Sequence, residues 1–176
     1  MNHWGLTEQI PRTVFVQTTV RRSSRKKEIL GSRLLFITVV ERKFFGAKNG
    51  WFDSHRVRIA EREKTIADCL DRPDLCGGIV EVAKGLWYGH RDGDIDFDKL
   101  TDYAERMGNM AIVKRSGFLA ESMEFDLGPL YNRWRSMLTQ GFSLLDPTLP
   151  REGGYTRRWR LIVNLDKSML LSWRQS

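Results

Sequence analysis

The hydrophobic residues of this chain change their period near residue 60, and that change limits the folds open to it. Before it, Thr13 to Val20 (TVFVQTTV) and His55 to Ala60 (HRVRIA) alternate, which is the period-two signature of strands. Arg33 to Val40 (RLLFITVV) is an apolar strand suited to the centre of a sheet. After it, Ile66, Cys69 and Leu70 fall at helical spacing, and Ile79, Val82, Ala83, Leu86 and Trp87 follow i, i+3, i+4, i+7, i+8. Asp96 is placed to cap a third helix with Phe97, Leu100, Ala104 and Met107 inward. Met110 to Met123 reads as a fourth helix, weakened by Gly117, and Leu130 to Gln140 as a fifth.

Turn residues punctuate these segments. Residues 1–10 read as a helix tail and a loop closed by Pro11. Arg21 to Lys27 (RRSSRKK) reads as a loop or hairpin tip, Glu41 to Phe45 as extended chain stopping at Gly46, and Asn49-Gly50 as a turn. Asp71-Arg72-Pro73 ends the first helix, because proline disfavours helix in the residue before it. Gly77-Gly78 and Gly108-Asn109 make further breaks. Thr156 to Leu165 alternates Trp159, Leu161 and Val163 and reads as a late strand that returns to pair with the N-terminal sheet. The expected fold is α+β, in one domain over residues 1–176. A small mixed or antiparallel sheet, made of the N-terminal strands (13–60) plus the late C-terminal strand (156–165), packs with a cluster of about five helices (61–141).

Charge is distributed unevenly. Residues 1–60 carry 12 Lys/Arg and 4 Asp/Glu, residues 61–150 carry 11 and 16, and residues 151–176 carry 6 and 2, so the chain reads basic, acidic, basic. Basic segments favour polyanions. The candidate nucleic-acid contacts are Arg21, Arg22, Arg25, Lys26 and Lys27 in one loop, and Arg157, Arg158 and Arg160 near the other end. The two groups share a face if the late strand joins the first sheet. Lys114-Arg115 is a further candidate contact that an ordinary exposed pair explains better, and Trp159 reads as core.

The search for chemistry finds no catalytic residue, metal site or cofactor. Asp94, Asp96, Asp98 and Glu105 match calcium-loop positions, but Lys99 stands where the sharp turn needs glycine, so acids entering a capped helix N-terminus explain them better. Phosphate-loop and nucleophile-elbow motifs are missing, and neither Cys69 nor Cys76 has a histidine near it in sequence. Both cysteines are expected to be buried thiols. The strands carry few acids, with Glu41 and Asp53 only at strand ends, which argues against a metal-dependent nuclease. No apolar run approaches the roughly 20 residues of a membrane span, and no secretory signal is visible, so a cytoplasmic protein with no membrane partner is expected.

An ordered series of residues resembles the AbiEi antitoxin family. It includes Trp4-Gly5-Leu6-Thr7 with Ile10-Pro11, and Phe44-Phe45-Gly46. It runs on through Arg58-Ile59-Ala60, Glu63 to Pro73 (EKTIADCLDRP) and Cys76-Gly77-Gly78-Ile79. Leu100, Tyr103-Ala104, Gly108-Asn109, Lys114 to Leu119 (KRSGFL), Leu144 to Pro147 (LLDP) and the strand ending at Asn164 follow in order. The resemblance implies the antitoxin core of a type IV toxin–antitoxin pair, whose partner is a nucleotidyltransferase-like toxin and whose family also regulates transcription. The family's N-terminal winged helix, which binds operator DNA, would precede Asn2 and is expected to be absent. Asp71, Arg72, Pro73, Gly77, Gly78, Gly108 and Asn109 are read as fixing shape. The alternatives are a stand-alone basic module that binds DNA or RNA and, behind it, a nuclease-like enzyme.

Overall fold

The computed structural model describes residues 1–10, 12–29, 31–52 and 55–175. Pro11 and Asp53, singled out above, lie outside these residues.

The fold is α+β, as the change of period implies. After a 3₁₀ turn at Asn2–Trp4, where a helix tail was expected, come β1 (Thr13–Thr18), β2 (Lys26–Ile29) and β3 (Ser32–Thr38). β3 is central: β1 pairs parallel with it on one side and β2 antiparallel on the other. Lys26 and Lys27, expected in a loop, are therefore strand residues opposite Leu35 and Leu34. The extended run expected at Glu41 to Phe45 is instead a 3₁₀ turn at Glu41–Lys43, which carries Lys43 to the Asp71 carboxylate.

β4 (Ala47–Phe52) and β5 (His55–Ala60) form a separate antiparallel hairpin. Asn49-Gly50 is not its turn. Both residues lie inside β4, opposite Arg58 and Val57. A Cβ on Gly50 would stand 2.8 Å from the Ile59 side chain, so this glycine serves close approach.

The helical body follows as α1 (Arg62–Asp71), a 3₁₀ turn at Pro73–Leu75, α2 (Ile79–Arg91), α3 (Phe97–Met107), α4 (Ala111–Ser122) and α5 (Leu130–Met137), the last shorter than expected. The Asp96 side chain accepts the Lys99 N–H at 3.0 Å, the expected cap of α3. Gly108 ends α3 in the left-handed conformation, φ +64°. No helix among the described residues is long and apolar enough to cross a membrane.

The late strand departs most from expectation. It is two strands, β7 (Gly154–Thr156) and β8 (Leu161–Val163), joined by a turn with Arg160 at φ +50°. β8 pairs with β7 and with β6 (Ser143–Leu144), not with the N-terminal sheet. Trp159 and Leu161 are buried in the helical core, and that packing holds the hairpin on the body. A short α6 (Lys167–Leu170) and a 3₁₀ turn at Ser172–Gln175 close the chain.

The core sits entirely on the helical side. Apart from Leu6, every fully buried hydrophobic side chain lies between Ile66 and Leu170. Most helical positions expected to face inward do so: Ile66, Leu70, Ile79, Val82, Ala83, Leu86, Leu100, Ala104 and Met107 are buried, while Trp87 is only partly so. Each large one contributes about 1.5–3 kcal/mol. Among the described residues of β1 to β5, none is buried. The N-terminal strands are thus held on the body by few contacts, among them Gln17 Nε2 donating to Asp68 Oδ2 at 2.8 Å and Trp4 Nε1 donating to the Ala60 carbonyl at 2.8 Å.

Candidate nucleic-acid interface

The β1–β3–β2 sheet gathers most of the first basic group. Arg21, Arg22, Lys26, Lys27, two serines (Ser23 and Ser24) and Phe36 line a shallow cup of about 480 Å³. The Arg22 guanidinium lies over the Phe36 ring, 4.3 Å from its centroid. Arg25 does not line the cup, but its carbonyl accepts the Phe36 N–H at 2.8 Å, which ties the loop to β3. Arg21, Arg22, Arg25, Lys26 and Lys27 are all exposed, and among the described residues none of them forms an ion pair. This sets them apart from Arg62, Arg72, Arg91 and Arg133, each of which pairs with a carboxylate. Cations without a carboxylate partner are available to an external anion.

Strand register fixes which side chains share a face. Val14, Val16, Leu34, Phe36 and Lys27 fall on one face, and Phe15, Gln17, Leu35 and Ile37 on the other. Gln17 reaches Asp68 on α1, so its face is the one turned to the helices. The Phe36 face is turned away from α1. Phe36 was missed as a site residue in the sequence, because an aromatic in an apolar strand reads as core, whereas Arg22 above it was among the candidates. The pairing of β3 with a basic edge strand is the signal that identifies Phe36.

The second basic group is placed differently. Because the late hairpin pairs with β6, the premise that put Arg157, Arg158 and Arg160 on the N-terminal sheet's face does not hold. Arg158 pairs with Glu121 at 2.6 Å. Arg157 is exposed, and Arg160 is half-buried at the tight turn.

Lys114 and Arg115, expected on the surface, are buried. Lys114 Nζ donates to the Gly141 carbonyl at 2.9 Å, and burial pulls its pKa below the ordinary value, with Arg160 adding to the effect. Arg115 donates to three backbone carbonyls: Nη1 to Leu70 at 2.5 Å, Nε to Leu144 and Leu145 at 3.1 Å each, and Nη2 to Leu144 at 2.9 Å. This one side chain joins the end of α1 to β6.

The shape-fixing residues belong to the same framework. Asp71 accepts from Lys43 and, at 2.5 Å, from Asn109. Arg72 pairs with Asp74, and Pro73 starts the 3₁₀ turn. Gly77 and Gly78 both take positive φ, and a Cβ on Gly78 would stand 3.0 Å from Asp146 Oδ2. That oxygen accepts the Ile79 N–H at 2.8 Å and holds the start of α2. Asn164 closes the arrangement by donating to the Asp146 carbonyl at 2.7 Å. Replacing Asp71 with alanine strands the partly buried Lys43 ammonium and the Asn109 amide, with an expected loss of about 2–3 kcal/mol. Urea denaturation checks this, with a lower midpoint at unchanged slope expected.

The acids that matched calcium-loop positions have protein partners. Asp94 pairs with Arg62, Asp96 caps α3, and Asp98 and Glu105 face Arg133. Among the described residues no three His, Cys, Asp or Glu are placed to hold a metal. Cys69 is buried as expected, whereas Cys76 is only partly so. The Cys76 side chain and burial push the Cys69 thiol well above its usual pKa, which denies it thiolate character near neutral pH. His90 is stacked on Phe125, 3.9 Å between centroids. Comparison with protein-family models, with curated proteins and with solved structures found no match.

Proposed function

We propose that this chain is a non-enzymatic antitoxin of the AbiEi kind, which counteracts a nucleotidyltransferase-like toxin. One observation carries the reading. Several of the ordered residues that resemble that family meet in one partly buried framework, in which Asp71, Asn109, Arg115, Gly78, Asp146 and Asn164 tie α1, α2 and the last sheet together. Side chains used up in this way set a shape and offer nothing to a substrate. The chain then acts by binding. Transcriptional autoregulation belongs to the same proposal and depends on DNA contact. The test is co-expression with a nucleotidyltransferase-like toxin of such a pair: restored growth is expected. Unrelieved toxicity in cells that contain the folded protein sinks the proposal.

A second reading is favoured by the basic cup beside Phe36: the chain is a nucleic-acid-binding module that contacts phosphates through Arg21, Arg22, Lys26 and Lys27. Retention on DNA or RNA should then weaken steeply with salt.

A further inference from the structure

The outward face of the β1–β3–β2 sheet combines three features. It has an apolar strip of Val14, Val16, Leu34 and Phe36, set by register. It has a ring already covered by a guanidinium, Arg22 over Phe36. It has a rim of unpaired cations at Arg21 and Lys27, bordering a cup of about 480 Å³ that Lys26, opposite Leu35 in register, also lines from the strand edge. The geometry points to a site for single-stranded nucleic acid on this face, with one base stacked at the Arg22–Phe36 position and the backbone phosphates following the cationic rim. The inference rests on the nucleic-acid reading above and narrows it to unpaired strands.

The chemistry separates the candidate ligands. Unpaired bases stack on aromatic rings and on arginine planes, and an open sheet face is a common platform for them. In duplex DNA the bases are stacked on each other, so a ring on a shallow sheet has no base face to meet. An acidic peptide would satisfy the cations but leave the apolar strip and the ring without a complement. The Ser23 hydroxyl at the cup adds a donor suited to phosphate oxygens, while that of Ser24 donates to the Lys26 carbonyl at 2.9 Å and steadies the loop. Arg22 can serve both roles at once, since its guanidinium lies over Phe36 at 4.3 Å while the side chain is exposed.

Fluorescence anisotropy with the full chain tests this, using a labelled eight-nucleotide RNA, the same length of single-stranded DNA, a duplex of the same sequence, and inorganic polyphosphate. At least one single strand is expected to bind ten-fold or more tightly than the duplex. With four cations on phosphates, the salt slope should be roughly −3 in log–log form, and neutralising Lys26 and Lys27 together should reduce it by about 1.4. Phe36→Leu should weaken the single strand about ten-fold and leave polyphosphate unchanged. Arg22→Gln, at an exposed site where folding is not at stake, should weaken both. Duplex binding as tight as single-strand binding overturns the inference. So does a folded Phe36→Leu variant that binds the single strand normally, although the salt-dependent nucleic-acid reading would then survive. Loss of binding to every polyanion removes both.

Discussion

Replacing Arg115 with alanine is expected to cost about 3–5 kcal/mol and to leave the chain near the edge of unfolding. The guanidinium donates to the carbonyls of Leu70, Leu144 and Leu145 and sits among buried neighbours. Alanine removes all of these charge-assisted bonds and strands the carbonyls away from water, where each unmet acceptor is costly. Asp71, Asp74 and Asp146 lie close enough to oppose the burial penalty on the cation, so their negative charge also loses compensation. Arg115→Lys should recover only part of the loss, because an ammonium lacks the planar fork that spans α1 and β6. Urea denaturation followed by circular dichroism measures both variants. A change below about 1 kcal/mol for the alanine variant would contradict the bonding described here.

The second large effect is expected at Gly117. A Cβ there would stand 2.1, 2.3 and 2.4 Å from three atoms of the Trp159 ring. The ring has little room to retreat: Trp159 is fully buried, and its Nε1 donates to Glu121 Oε2 at 2.7 Å. Gly117→Ala should therefore cost about 3 kcal/mol, at the upper end of overpacking effects, despite alanine's better helix propensity. Trp159→Ala should cost about 3–5 kcal/mol through the cavity it leaves. Combining Gly117→Ala with Trp159→Phe gives the sharper measurement. The smaller ring admits the methyl group, so the double variant should be more stable than the sum of the two single losses by more than about 1 kcal/mol. Additivity within about 0.5 kcal/mol would show that the two positions do not press on each other.

The helices were legible because their apolar residues repeat at one period and their ends carry chemistry that only one conformation satisfies. Asp96, Gly108 and Pro73 each perform the task their type implies. Where the reading failed, it assumed a one-sided element. α4 is buried nearly all round: Ile112, Val113, Leu119 and Ala120 share it with buried Lys114, Arg115 and Ser116. An amphipathic pattern places a Lys-Arg pair in solvent, and nothing local reveals that three distant carbonyls await the arginine. Gly117 was read as a weakness of the helix, whereas it is the slot for a tryptophan 42 residues away. The late sheet was misjudged for another reason. β6 has two residues and β8 three, too short for a period to register, and their pairing is set by the core beneath them.

In the candidate interface the sequence revealed the cations and not the ring. Arg21 to Lys27 announce themselves as a run of like charges. That Lys27 shares a face with Phe36 follows only from the antiparallel register of β2 on β3. The loop that begins with Arg21 and Arg22 then folds back over that face, which no local pattern encodes.

The first strands bury no side chain fully, while the helices supply most of the buried core. Two thermodynamic compartments follow. Backbone amides of β1 to β3 should exchange with deuterium through shallow openings, and those of α1, α2 and α4 only through deep ones. Any polyanion that grips the sheet would stabilise the shallow compartment selectively. Slowed exchange confined to residues 13–38, with helical rates untouched, would be the signature of occupancy.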